Sequence, residues 1–151
     1  IIRRLPHGAD AFLSVLRENF DVRQNADPVP ARKGDVAVYL GGVWYGLTLP
    51  PPESDDVVAS LDVGRLSDAI LEPVLGITDP RRDPNIDFVG GIRGTDELER
   101  LVDTGKAEMA ISMYPTGIDE LVDVSDAGEL MPPKSTWFEP KLRSGLLVHL
   151  F

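Results

Sequence analysis

The sequence predicts an α+β (or α/β) domain with helices packed on a mixed sheet, and three observations carry that expectation. A stretch near the N-terminus places apolar residues at helical spacing. Two alternating apolar runs flank a Gly-Gly pair. From Ile86 onward the pattern reads strand, helix, strand, helix, strand. No segment repeats, and neither half offers a convincing core alone, so one domain is expected over residues 1–151.

Ala9 to Phe20 carries Phe12, Leu13, Leu16 and Phe20 on one helical face, with Gly8 as a permissive entry. Phe20 to Arg23 reads as a short strand, and Gln24 to Gly34, with Pro28 and Pro30, as a loop. Asp35 to Leu49 is the clearest hairpin. Val36, Val38 and Leu40 alternate before Gly41-Gly42, and Val43, Tyr45 and Leu47 after it, and glycines suit the positive φ angles of a two-residue turn. Pro50, Pro51 and Pro52 stop the second strand.

Asp62 is expected to cap a helix that shows Leu66, Ile70 and Leu71 on one face. Pro73 lacks an amide proton and should end or kink that helix, with Gly76 closing the segment. Two Asp-Pro steps between Thr78 and Pro84 predict consecutive turns. Ile86 to Val89 reads as a strand. Thr95 is expected to cap the next helix, with Asp96 and Glu97 in its first turn and Gly105 past its end. Ala107 to Met113 reads as a strand. Thr116 is placed at the start of a further helix, with Asp119 in the capping-box position. Gly145 to Phe151 reads as a terminal strand.

Composition narrows the function classes. The chain of 151 residues carries a formal net charge of −10. Affinity for duplex DNA comes mostly from Lys and Arg on phosphates, so this balance speaks against nucleic acid. It speaks against anionic membrane surfaces on the same ground, and no apolar run approaches a bilayer-spanning length. A small anionic metabolite is still compatible, because a few focused cations can hold one inside an acidic protein. The absence of cysteine rules out disulfides and thiolate chemistry and fits a cytoplasmic location. The opening Ile1-Ile2-Arg3-Arg4, with no leader, suggests a piece of a longer protein.

Two segments carry candidate chemistry. Gly90-Gly91-Ile92-Arg93 lies between a predicted strand and a predicted helix. Amides at a helix start favour an anion, and Arg93 would add a charge-assisted contact. The plainer reading is a tight turn that needs glycine for its angles. Met131 to Gly145 carries three cations (Lys134, Lys141, Arg143) against the single acid Glu139. Lys134, Ser135 and Thr136 follow the stiffening Pro132-Pro133 and offer a point charge plus hydroxyl donors for a phosphate or carboxylate. Trp137 and Phe138 would wall such a site. The plainer reading is an ordered loop whose aromatics plug the core, with Lys141 and Arg143 on a solvated face. His7 and His149 are the only histidines, and His149 reads as structural. No metal-ligand spacing occurs, and Asp55, Asp56, Asp62 and Glu72 read as an exposed acidic linker rather than a cation site.

Several of these segments recur in order in a known family. Ser60-Leu61-Asp62-Val63 is followed by Leu71-Glu72-Pro73-Val74-Leu75-Gly76-Ile77 and by Asp87-Phe88-Val89-Gly90-Gly91-Ile92-Arg93-Gly94. Tyr114-Pro115-Thr116, Asp126-Ala127-Gly128 and the Met131–Gly145 block complete the series. The chain thereby resembles the C-terminal portion of bacterial proteins grouped as domain of unknown function 1015. The resemblance implies a two-part protein whose N-terminal portion is similar to the ParB and sulfiredoxin superfamily, which includes free-serine kinases. It implies a small-molecule phosphotransfer or nucleotide-using protein, linked to serine metabolism. Within this piece no cofactor is expected, whereas a nucleotide would belong to the full-length protein. The expected partner is the chain's own N-terminal domain. A partition-like or regulatory interaction module, and a purely structural domain docked on the missing half, stand as the alternatives. No residue stands out as a general base.

Overall fold

The computed structural model describes residues 1–52 and 56–131. Helix α1 (Gly8–Asn19) is followed by a two-residue strand β1 (Arg23–Gln24) and the hairpin β2 (Asp35–Leu40) and β3 (Val43–Thr48). Helix α2 (Asp62–Leu66) runs through a π-helical turn (Ser67–Leu71) into α3 (Glu72–Leu75). A 3₁₀ turn (Gly91–Arg93) leads into α4 (Gly94–Asp103), and β4 (Met109–Met113) and α5 (Ile118–Asp126) follow. The strands lie in the order β1-β3-β2-β4 and every pair is antiparallel. The α+β class is therefore as expected, but the described sheet is antiparallel throughout rather than mixed. The last expected strand, Gly145 to Phe151, lies outside the described residues.

Period-two alternation sorts the sheet into two faces. The cross-strand pairs Val36–Leu47, Val38–Tyr45 and Leu40–Val43 share one face, and Tyr39–Trp44, Ala37–Gly46 and Asp35–Thr48 share the other. The first face packs with Phe12 and Leu16 of α1, with Leu66, Ile70, Leu71 and Leu75, and with Met109 of β4. On the second face a smaller cluster joins Ala37, Tyr39, Trp44 and Ala110 to Leu98 and Val102, which sit four apart on α4. Two hydrogen bonds hold α4 there. Trp44 Nε1 donates to Glu99 at 2.7 Å and the Tyr39 hydroxyl to Asp103 at 3.1 Å. The two rings lie 5.0 Å apart and tilted. Burial, and then the bond to Asp103, raise the Tyr39 phenol above its ordinary pKa.

The hairpin turn is as read: Gly41 and Gly42 have φ of 58° and 82°, the left-handed pair that lets a two-residue turn match the strand twist. Helix α1 also matches. Its last turn takes up Phe20, whose N–H donates to Leu16 O at 2.8 Å, so the following strand starts only at Arg23.

Other expectations need correction. Asp62 does not cap its own helix; it is the first residue of α2, buried, and its carboxylate accepts from the Gly34 N–H at 2.8 and 2.9 Å. Arg65 donates to the same carboxylate at 3.1 Å and to the carbonyls of Leu49 and Pro50 at 2.7 and 2.8 Å. This knot fastens the approach to β2, the exit of β3 and the start of α2. Gly34 suits it twice, with φ of 87° and the Arg65 guanidinium 2.8 Å from where a Cβ would stand.

Pro73 does not end the helix. The Glu72 N–H reaches back five residues to Ser67 O, and this wider turn lets Pro73 enter as the second residue of α3. Gly76, at φ 70°, stops the chain as expected. Ile86 to Val89 is not a strand. Ile86 bridges Ile2 alone, and the Phe88 N–H is taken by the side chain of Asp87 at 2.8 Å. Thr95 is not the cap of α4, whose N-cap is Arg93. At α5 the cap is Gly117, one residue later than Thr116, and Glu120 rather than Asp119 reaches back to the Gly117 N–H at 2.9 Å.

Candidate functional site

Of the residues expected to bind a phosphate or carboxylate, Gly90, Gly91 and Arg93 are described, whereas Lys134, Ser135, Thr136, Lys141 and Arg143 lie outside the described residues. Trp137, Phe138 and His149 lie outside them too. The three described residues do sit together, in the turn that feeds α4. Neither Gly90 nor Gly91 has positive φ, so glycine there is not a backbone necessity. The residue that needs it is Gly94, at φ 70°. Adding a Cβ at Gly90 or Gly91 would meet nothing within 4 Å, so no close approach requires glycine at either position.

The electrostatics at this turn are already largely balanced from within. Arg93 stands 3.6 Å from Glu97. Glu97 also receives two bonds of 2.7 Å from Arg100, a bidentate fork. That bond to Arg100 holds the Glu97 carboxyl below its ordinary pKa. Asp96 adds a further acid in the first turn. Both acids satisfy the positive end of the helix dipole, and an incoming anion would have to compete with them.

The acidic residues weighed for a cation do not gather. Asp62 is buried in the knot with Arg65, while Asp56 and Glu72 are exposed; Asp55 lies outside the described residues. Among the described residues no three His, Asp or Glu side chains stand close enough to hold a metal ion. Among them, too, no helix is long and apolar enough to cross a membrane.

A feature that the sequence reading missed lies on α5. Ile118 is 79% exposed and Val122 48%, and four residues apart they share one helix face. Tyr114 just before the helix and Leu130 just after it are exposed as well. The opposite side of the helix is held: Val124 is buried, and Glu120 pairs with Lys33 ahead of β2. The signal was present in the sequence, because Ile118, Leu121, Val122 and Val124 are too many apolar residues for a single buried stripe. Apart from α5, a groove of about 330 Å³ lies under the loop that follows β1. Compared with protein-family models, with curated proteins and with solved structures, the chain matches none of them.

Proposed function

We propose that this chain is the C-terminal docking domain of a two-part protein of the domain of unknown function 1015 kind, and that it completes a phosphate or nucleotide site built mainly by the N-terminal portion. The observation that carries the docking half is the exposed apolar face of α5. Large apolar side chains standing singly on a surface are ordinary, but Ile118, Val122, Tyr114 and Leu130 cluster around one short helix. Burying an aliphatic side chain of this size is worth about 1.5–3 kcal/mol. The anchored opposite side means that the face is presented by a fixed helix, so little ordering is needed on binding.

The phosphate half rests on the family resemblance and on the chemistry of Lys134, Ser135 and Thr136, with Arg93 and the Gly90-Gly91 turn in support. The two halves separate experimentally. Titrating the separately produced N-terminal portion with this chain should show binding that Ile118→Lys weakens by at least about tenfold, or 1.4 kcal/mol. Ile118 is largely exposed, so this variant keeps its fold. Equal affinity of the variant and the parent chain overturns the docking half. In the full-length protein, Lys134→Ala should abolish the heat of nucleotide or phosphoserine binding, and an unchanged titration sinks the phosphate half alone. A regulatory module would use the same α5 face on a separate protein, and failure of the N-terminal portion to bind at all points there.

A further inference from the structure

We infer that the groove beneath the loop after β1 is a binding site for a small zwitterion, a molecule with one carboxylate and one ammonium group, of about the size of an amino acid. The second face of the sheet is covered by α4 only at the Tyr39–Trp44 end. Toward Asp35 the face is overhung instead by the loop from Asn25 to Ala31, and the space between is about 330 Å³. That lies at the small end of natural ligand pockets, too little for a nucleotide and enough for an amino acid.

The floor is a cross-strand pair of small residues, Ala37 and Gly46. A Cβ at Gly46 would stand 2.8 Å from the Cβ of Ala26, so the loop lies directly on the strand there. The same point is 3.7 Å from Arg23 Nη2 and 3.9 Å from its Nε. The guanidinium of the exposed Arg23 therefore reaches over Gly46 at the floor of the groove. Among the described residues the Arg23 guanidinium has no ion pair or hydrogen-bond acceptor. A planar fork left open over an apolar floor suits a carboxylate in bidentate contact.

The rest of the lining decides which carboxylate. Asp35 is fully engaged, accepting from Thr48 Oγ1 at 2.6 Å and from Arg32 Nε at 3.0 Å. Asp27 is engaged by half. Its Oδ1 accepts from the Val29 N–H at 2.8 Å, and Oδ2 has no partner among the described residues. A second negative charge on the ligand would meet this carboxylate, whereas an ammonium group would complete it. Asn25, in the left-handed region at φ 56°, turns the loop over the groove, a conformation that Asn tolerates better than most side chains.

The test is a titration of the isotope-labelled chain by NMR with glycine, L-alanine, acetate and inorganic phosphate. Glycine or L-alanine should give saturable shifts at the amides of Arg23, Asn25 and Gly46. Arg23→Ala should weaken that binding by at least about tenfold, with the remaining spectrum unchanged to show an intact fold. Asp27→Asn should weaken L-alanine binding while leaving acetate binding as it was. Absence of saturable shifts with both amino acids overturns the site. Phosphate or acetate binding as tightly as L-alanine, with no effect of Asp27→Asn, overturns the ligand class.

Discussion

Replacing Asp62 by alanine is expected to lower the unfolding free energy by about 3 kcal/mol, the lower end of the range for removing one partner of a buried ion pair. The carboxylate and the Arg65 guanidinium are both largely buried, with 10% and 12% of their side-chain areas exposed. In Asp62→Ala the Gly34 N–H loses its only acceptor, and Arg65 keeps a charge that only two carbonyls now satisfy. Those two carbonyl bonds are why the lower end applies. Asp62→Asn retains one acceptor and the shape, and should cost about 1–2 kcal/mol. Urea denaturation of the three proteins measures the series. A value for Asp62→Ala within about 0.5 kcal/mol of the parent, the range of an ordinary surface change, would show that the knot is not structural.

Two residues along, Gly64→Ala should also destabilise, against the usual sign. In an exposed helix interior, alanine gains about 1 kcal/mol over glycine. At Gly64 the added Cβ would stand 2.5 Å from Val58 O, 2.8 Å from Ala59 O and 2.9 Å from Ala59 Cα. All three are backbone atoms that cannot swing aside. Either α2 or the turn before it must retreat, and overpacking of this kind costs about 1–3 kcal/mol. Because Asp62 and Arg65 flank the glycine, the retreat would also stretch their bonds. The double variant with Asp62→Ala should therefore cost less than the sum of the two single changes. A thermal midpoint equal to or above that of the parent would refute the close approach.

Local chemistry was the legible part of this fold. The Gly41-Gly42 turn, the face of α1, the strand before Met113 and the stop at Gly76 each depend on residues within a few positions of one another, and each is found where the sequence puts it. The corrections share the opposite property. Asp62 looks like a cap because caps are local, yet its partner Gly34 is 28 residues away. Ile86 to Val89 has a strand's composition, but only the short segment of residues 1–3 comes alongside its first two residues, and no composition reveals which partner a strand will find. The candidate site was legible only in part. Gly90, Gly91 and Arg93 do converge at the start of α4, but the acids that balance them become visible as competitors only once the helix is formed. Arg23 gave no signal at all, since an arginine at the end of a short strand is ordinary until a groove is seen beneath it.

The π-helical turn at Ser67–Leu71 has a consequence for how this region tolerates a change of length. A single-residue deletion elsewhere in a helix swings everything downstream by about 100°. Here the turn already holds one residue more than α geometry needs, so a deletion within it would leave the apolar faces before and after in line. The obstacle is Pro73, whose ring would then meet the carbonyl four residues back at about 3 kcal/mol. Shortening should therefore be resisted while Pro73 is present and tolerated once it is replaced, which ties the extra residue to the proline that follows it.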